Sequence, residues 1–224
     1  MAPVLIFGAG GGVGLCLARL LRRDGVPVFA MLRSPAAEGE LSALGVRTVA
    51  GNAFSTADID RALALAGPDD LDVVSTIGGR AADGRLADDE GNVNIVDRAA
   101  AHGVRRFVLV TSIGCGDMAP YRSERAIAAF GAAVDAKTRA EEHLRLKLPC
   151  ATIIRPGGLR SEPATGRGIL SDDPQMHGFI HRADVADLIR RALADPATEG
   201  RAFAAVDADQ ARCANPIEPF PLAG

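Results

Sequence analysis

The chain has 224 residues, of which 24% are charged, and a formal net charge of −3 at pH 7. It has no cluster of Lys or Arg, which argues against nucleic acids or anionic lipids as partners, so we expect a small-molecule substrate. Arg19, Arg22 and Arg23 interrupt the first long apolar stretch, which excludes a membrane span of roughly 18 apolar residues, and no secretory signal is visible, so we expect a cytoplasmic protein.

Apolar, β-branched runs alternate along the chain with alanine-rich segments of helical spacing. This alternation predicts an α/β protein with a doubly wound parallel sheet and helices on both faces. The expected strands are Val4–Phe7, Val26–Leu32, Val46–Ala50, Leu71–Ile77, Arg106–Ser112 and Ala151–Arg155. The expected helices are Val13–Arg23, Ala57–Leu65, Glu90–Ala101, Asp135–Leu146 and Ala183–Leu193, with a weaker one over Ala36–Leu44.

Two segments rich in Gly, Pro and polar residues interrupt the alternation, Gly114–Val134 and Gly157–Gly178. Loops that follow the carboxyl ends of strands line the ligand crevice of an open α/β sheet. We therefore expect these two segments to wall a substrate site, as a small lobe on a single domain.

A glycine-rich turn, GAGGGVG, joins the first expected strand to the first expected helix. Such a turn brings backbone N–H groups against a pyrophosphate and requires a small residue where the helix meets the strand. A GxGxxG pattern alone is weak evidence, but here a strand precedes it and a helix follows it. The sequence predicts dinucleotide binding, with a purely structural turn as the alternative. The binding residues would be Gly8, Ala9, Gly11, Gly12, Val13 and Gly14.

The end of the second expected strand, FAMLRSP, indicates which dinucleotide is bound. NAD-selective folds usually carry an Asp or Glu here, which accepts a hydrogen bond from the ribose 2′-hydroxyl. This chain has Arg33 followed by Ser34. Because a guanidinium pairs with a 2′-phosphate and cannot accept that hydrogen bond, we expect NADP(H) as the cofactor. The alternative is that Arg33 is only a solvated surface charge.

Further motifs resemble the atypical short-chain dehydrogenase/reductases of the NAD(P)H-binding, NmrA-like kind, which include flavin and biliverdin-IXβ reductase-like proteins. The resemblance extends from Val4 to about Phe203. It rests on IFGAGGGVG, AMLRSP, VAGNAFSTADIDRAL, DEGNVNIVDRAAAHGVRRFVLVTSIG, KTRAEEHLR, TIIRPGGL and HRADVADLI. It implies an NAD(P)-binding Rossmann domain over residues 1–210, followed by an irregular C-terminal extension over residues 211–224.

The resemblance also implies cofactor contacts beyond the glycine turn and Arg33. The family more often has Asp where Asn52 stands, but an amide oxygen still accepts a hydrogen bond from the adenine amine. The implied contacts are Asn52 and Ala53 beside the adenine, Thr76, Ile77 and Gly78 beneath the ribose nearer the nicotinamide, and Pro156 over the nicotinamide end.

The catalytic set implied by the resemblance is incomplete. Ser112 matches a serine that bonds the reacting carbonyl in many relatives, and Lys137 matches the lysine that holds the nicotinamide ribose. Tyr-type members have a tyrosine four residues before that lysine, where this chain has Ala133. The reaction then needs another proton donor, water, or an acceptor whose reduced form requires no strong acid. Tyr121, in the first expected wall segment, is the candidate donor, and the alternative is that it packs on the surface.

Three functions fit these residues. The first is an NADPH-dependent oxidoreductase that reduces a small planar carbonyl, quinone or flavin-like acceptor by hydride transfer. The second is a non-catalytic NADP(H)-binding redox sensor of the NmrA kind. The missing tyrosine favours this sensor, whereas the presence of Ser112 and Lys137 favours the enzyme. The third is a sugar-nucleotide epimerase or dehydratase, whose members normally keep the tyrosine and a larger C-terminal region. No metal site is expected from the scattered cysteines, and monomer and homodimer both stay open.

Overall fold

The computed structural model describes residues 1–67 and 70–223. Its strands are β1 (Val4–Phe7), β2 (Val28–Leu32), β3 (Arg47–Ala50), β4 (Asp72–Ser75), β5 (Arg106–Val110), β6 (Thr152–Pro156), β7 (Gly158–Arg160), β8 (Gly168–Ser171), β9 (Phe179–His181) and β10 (Ala202–Asp207). Its α-helices are α1 (Gly12–Arg23), α2 (Glu38–Ala43), α3 (Thr56–Ala66), α4 (Asn92–His102), α5 (Glu124–Lys147) and α6 (Arg182–Ala194).

An eight-stranded sheet in the order β3-β2-β1-β4-β5-β6-β10-β8 forms the centre of the fold. Its strand pairs are parallel except for β8, which runs antiparallel to β10 at one edge. Strands β7 and β9 form a separate parallel pair. The chain winds outward in both directions from β1 and β4, which confirms the predicted doubly wound sheet and places the topological switch point between these two strands.

Apolar side chains cover both faces of the sheet. Along β1, Val4 and Ile6 belong to one core cluster, whereas Leu5 and Phe7 belong to the other. Strands covered on both faces need continuous apolar runs, which is why β1 reads as an unbroken apolar segment. The two layers hold the carboxyl ends of the central strands in fixed positions.

The predicted strands and helices are confirmed with shifted ends, except that the first expected wall segment is only partly a loop. A 3₁₀ turn covers Gly116–Tyr121, and α5 begins at Glu124, not at Asp135 as predicted. Ser123 caps this longer helix, since its Oγ accepts a hydrogen bond from Ala126 N at 3.2 Å. The alanine-rich segment that follows has high helix propensity despite Gly131.

The C-terminal part of the sheet was not predicted. The second expected wall segment contains β7 and β8, and the alanine-rich β10 inserts between β6 and β8. Alanine has low strand propensity, so β10 depends on pairing with neighbours that lie far away in sequence. Residues 211–223 contain no named helix or strand, yet Phe220 N donates to Leu170 O at 2.7 Å. Gly224, the last residue of the expected extension, lies outside the described residues.

No helix within the described ranges is long and apolar enough to cross a membrane.

Candidate functional site

A cleft of about 340 Å³ opens at the carboxyl ends of β1 to β4, beside the switch point. This is where open α/β sheets bind their ligands. Half of its lining residues were predicted as cofactor contacts from the sequence: Gly8, Gly11, Arg33, Ser34, Asn52, Ala53, Thr76, Ile77 and Gly78. Met31, Phe54 and Gly10 also line the cleft and were not predicted.

The glycine turn brings the backbone of α1 up to the cleft. Gly8 has a φ of +100°, and a Cβ there would lie within 3.0 Å of Thr76 Oγ1. A Cβ on Gly14 would come equally close to Gly8 O, so the helix packs against the strand only without a side chain at either position. No side chain caps α1 at Gly11, which leaves the first N–H groups of the helix available to an anion.

The other residues predicted in this turn differ in exposure. Ala9 and Val13 are buried in the core cluster that contains α1. Gly12 is exposed beside Arg182, whose Nε would lie 3.7 Å from a Cβ on Gly12. Arg182 therefore adds a positive charge next to the turn that the sequence analysis did not assign to the site.

Arg33 and Ser34 form the wall of the cleft at the end of β2. Both are exposed, and Ser34 Oγ accepts a hydrogen bond from Ala36 N at 3.4 Å, at the start of the 3₁₀ turn Pro35–Ala37. Both residues thus line the same solvent-facing wall of the cleft. A guanidinium on this wall is a group that pairs with phosphate.

Asn52 shapes the adjoining wall through an Asx turn. Its Oδ1 accepts from Phe54 N at 3.1 Å, and its own N–H donates to Asp58 Oδ2 at 2.8 Å. This N–H holds the pKa of Asp58 below its ordinary value. The amide oxygen expected at the adenine is therefore already engaged locally, although a carbonyl oxygen has a second lone pair.

A largely buried ion pair lies at the opposite end of the cleft. Lys137, on α5, pairs with Asp88, and the side chains are 18% and 4% exposed. A Cβ on Gly78 would lie 3.1 Å from Lys137 Nζ, so the structure brings the predicted lysine next to the lining residue Gly78. Asp88 was missed in the sequence, where it is one of several acidic residues in a row.

Ser112 follows β5 and is half-buried. Its Oγ lies 3.6 Å from Cys115 Sγ. Burial raises the pKa of the Cys115 thiol, and the charge of Glu141 adds to this effect, so the sulfur is protonated near neutral pH. Cys115 is thus a packing residue beside Ser112 rather than an activated nucleophile.

A buried charge network fixes the segments that carry Ser112 and Lys137. Arg155, in β6, donates to both carboxylate oxygens of Glu141 on α5, at 2.7 and 3.1 Å. Thr111, next to Ser112, donates to Glu141 Oε1 at 2.6 Å, and Arg155 also pairs with Asp117. The network holds α5 against the carboxyl ends of β5 and β6.

Eight predicted residues do not line the cleft: Ala9, Gly12, Val13, Gly14, Ser112, Tyr121, Lys137 and Pro156. Pro156 is buried in β6, where its carbonyl accepts from Ile113 N at 3.0 Å. Tyr121 is 43% exposed and lines a different cavity of about 310 Å³, together with Gln175 and His177. The structure therefore does not bring the phenol to the Lys137 end of the cleft.

Among the residues that the structure describes, no group of three or more His, Cys, Asp or Glu side chains is arranged to hold a metal ion.

Comparison with known proteins relates this chain to nicotinamide-dependent proteins. Residues 8–196 match a family described as NAD(P)H-binding. The structure of ChuY, an anaerobillin reductase from Escherichia coli O157:H7, superposes with a TM-score of 0.85 at 38% identity, covering 93% of this chain and 98% of that one. The uncharacterized sugar epimerase YhfK of Bacillus subtilis (strain 168) is 31% identical over 209 residues, 92% of this chain and 94% of its own. Sanguinarine reductase from Eschscholzia californica is 35% identical over 118 residues, 50% of this chain and 42% of its own.

Proposed function

Because the chain belongs to the NAD(P)H-binding family of atypical short-chain dehydrogenase/reductases, we propose that it is an NADPH-dependent reductase of a small planar acceptor. The observation that carries the proposal is one cleft with an arginine wall at one end and Lys137 next to its other end. The uncapped start of α1 and the close packing of Gly8 and Gly14 fit a pyrophosphate between these ends.

The preference for NADPH over NADH rests on Arg33 and Ser34. Together they offer a guanidinium and a hydroxyl to a 2′-phosphate, and the lining residues of the cleft include no carboxylate to bind a free 2′-hydroxyl. A charge-assisted hydrogen bond of this kind contributes about 1.5–3 kcal/mol. Loss of Arg33 would therefore weaken NADPH binding and leave NADH binding nearly unchanged.

The roles proposed for the remaining residues are those that the family resemblance implies. When bound, the reduced nicotinamide supplies the hydride. Lys137 would donate hydrogen bonds to the ribose hydroxyls from beside Gly78, and Ser112 would donate its hydroxyl to the acceptor. The buried network of Glu141 and Arg155 would hold the segments that carry Lys137 and Ser112 in fixed positions relative to each other.

The proposed class of acceptor is planar and conjugated. Ala133 supplies no phenol to protonate an alkoxide, whereas reduction of a conjugated system spreads the added charge and needs no strong acid. Phe130 lies seven residues before Lys137, hence on the same side of α5, and is 66% exposed. An exposed aromatic ring on the lysine side of the helix suits stacking against a flat acceptor. ChuY and sanguinarine reductase are named as reductases, which supports the reaction type.

The same exposed side of α5 supports a second candidate, the NADP(H)-binding sensor. Ile127 and Phe130 are 49% and 66% exposed, and neighbouring exposed apolar side chains often mark a protein-binding surface. The third candidate, the epimerase named for YhfK, has less support because Ala133 replaces the usual tyrosine.

We also propose the cytoplasm as the location, since the four cysteines are unpaired, as is usual in a reducing compartment.

The experiment that tests the proposal measures binding and turnover of the same samples. NADPH and NADH are titrated by fluorescence, and flavin, quinone and conjugated carbonyl acceptors are then added while oxidation of the reduced nicotinamide is followed. We expect tighter binding of NADPH, turnover of at least one acceptor, and loss of turnover in Ser112→Ala. Arg33→Ser should raise the Kd for NADPH by roughly 10- to 100-fold.

The controls are an exposed serine and an exposed arginine outside the cleft, Ser42→Ala and Arg23→Ser, both of which should behave like the wild type. Preference for NADH would contradict the role of Arg33. Tight NADPH binding without turnover of any acceptor would favour the sensor over the reductase.

A further inference from the structure

The carboxylate of Asp88 is the buried acidic group nearest to the lysine end of the cleft. It lies in a single π-helical turn, Ala87–Gly91, which immediately precedes α4. Its Oδ2 accepts a hydrogen bond from Gly79 N at 2.7 Å, and its Oδ1 pairs with Lys137. A Cβ on Gly78 would lie 2.6 Å from Asp88 Oδ1, so the carboxylate, the lysine and the segment after β4 are packed together. Irregular turns of this type occur frequently at functional sites.

A second ion pair also joins this turn to α5. Asp89, the next residue, pairs with Arg139, which lies two positions after Lys137 on the same helix. That second pair joins the same two elements at the surface, with Arg139 53% exposed and Asp89 27% exposed. The buried pair bears the desolvation cost of two charges, which the exposed pair largely avoids. Its distinguishing property is its position beside Gly78.

We propose that Asp88 is a positioning residue for the reaction, which acts by holding the Lys137 ammonium against the Gly78–Gly79 segment. The inference rests on the proposed function, in which Lys137 binds the ribose nearer the nicotinamide. A long, flexible lysine side chain loses rotamer entropy when it is fixed, and Asp88 fixes it before any ligand arrives. One of the three ammonium N–H groups faces Asp88, which leaves two for the ribose hydroxyls.

Asp88 supplies Lys137 with a polar partner that position 133 does not provide. A tyrosine there would stand one helical turn from Lys137 on the same face of α5. Ala133 leaves that place without a polar group, so the partner that orients the lysine comes from the turn before α4. The same carboxylate fixes the Gly79 N–H, and therefore the lysine and the segment beneath the ribose move as one unit.

The test compares two neighbouring substitutions, Asp88→Asn and the matched control Asp89→Asn. We expect Asp88→Asn to raise the Kd for NADPH roughly tenfold and to lower kcat, since a charged hydrogen-bond partner of Lys137 is lost. Asp89→Asn should stay within about twofold of the wild type, because exposed pairs contribute little. Lys137→Met should remove the effect of Asp88, so that the double variant binds NADPH no more weakly than Lys137→Met alone.

Thermal unfolding separates this role from a structural one. If Asp88→Asn does not fold, Asp88→Glu retains the charge with a longer arm and should raise the Kd at an unchanged unfolding temperature. Wild-type Kd and kcat in Asp88→Asn, additive effects of Asp88 and Lys137, or failure of both Asp88 variants to fold would overturn the proposal. Because NADPH affinity is measured without an acceptor, a failure of the proposed reductase activity would be visible separately.

Discussion

At the scale of single residues, the cleft depends on two positions where a side chain cannot be placed. Gly14 lies so close to Gly8 O that a Cβ would also be 2.8 Å from Thr76 Oγ1. Thr76 in turn donates to Phe7 O at 3.3 Å, so the end of β1, the start of α1 and the residue after β4 meet in one small volume. A Cβ on Gly11, three positions earlier, would have no neighbour within 4 Å. The glycines of one turn therefore serve different purposes.

This difference gives a prediction for two substitutions in the same turn. Gly14→Ala should lower the free energy of unfolding by roughly 1–3 kcal/mol, because overpacking forces α1 away from β1. Gly11→Ala should leave the free energy of unfolding almost unchanged and weaken cofactor binding, because its methyl group would enter the cleft. Urea unfolding and NADPH titration of both variants provide the measurement. Equal unfolding free energies would show that α1 shifts to accommodate the extra methyl group.

At the scale of elements, helix α5 connects the candidate site to the core. It presents Phe130 to solvent, Lys137 to Asp88 beside the cleft and Glu141 to Arg155 in β6. The Glu141 and Arg155 side chains are only 2% and 3% exposed, so their charges satisfy each other with little help from water. Removing one partner from such a pair leaves an uncompensated buried charge.

Glu141→Gln should therefore destabilise the protein by about 3–5 kcal/mol. The matched control is Asp97→Asn, whose carboxylate is 43% exposed and pairs with His143, and which should cost at most about 1 kcal/mol. The free energy of unfolding in urea is the measurement. A loss in Glu141→Gln no larger than that in the control would mean that Asp117 alone is sufficient to compensate Arg155.

The elements also show which features a sequence reveals. The glycine turn, β1 and the strand end at Arg33 were predicted because their signals are local and consecutive. The start of α5 was missed because Ser123, its cap, follows a segment rich in Gly and Pro that reads as a loop. Asp88 was missed because its partner Lys137 is 49 positions away. Strand β10 was missed because alanines form a strand only between suitable neighbouring strands. Contacts between distant segments are the part that local patterns do not contain.

At the scale of the whole molecule, the final residues cover the antiparallel edge of the sheet. Phe220 packs against Phe203 with ring centroids 4.7 Å apart, and the Arg201 guanidinium lies 4.5 Å from the centre of the Phe220 ring. Phe220 N donates to Leu170 O in β8. An uncovered edge strand invites pairing with another chain, so this segment protects the molecule as well as stabilising it.

Phe220→Ala should lower the free energy of unfolding by roughly 1–3 kcal/mol and increase aggregation on heating. Phe130→Ala serves as the control for stability, since its ring is 66% exposed and its loss should change the unfolding free energy by less than about 0.5 kcal/mol. Urea unfolding and light scattering during a thermal ramp would measure the two effects. Equal behaviour of the two variants would contradict the role of Phe220 in covering the edge.

The pairing of β1 with β4 also governs when the cleft comes into existence. Val4 lies opposite Asp72, and α1, β2, α2, β3 and α3 lie between them along the chain. Contacts between such distant residues close slowly, because the entropy of a long loop is lost before the contact is gained. Gly8 and Gly14 do not meet Thr76 until this closure is complete. Ligand binding in the cleft therefore requires that β1 and β4 have paired, and a chain without this pairing has no complete binding site.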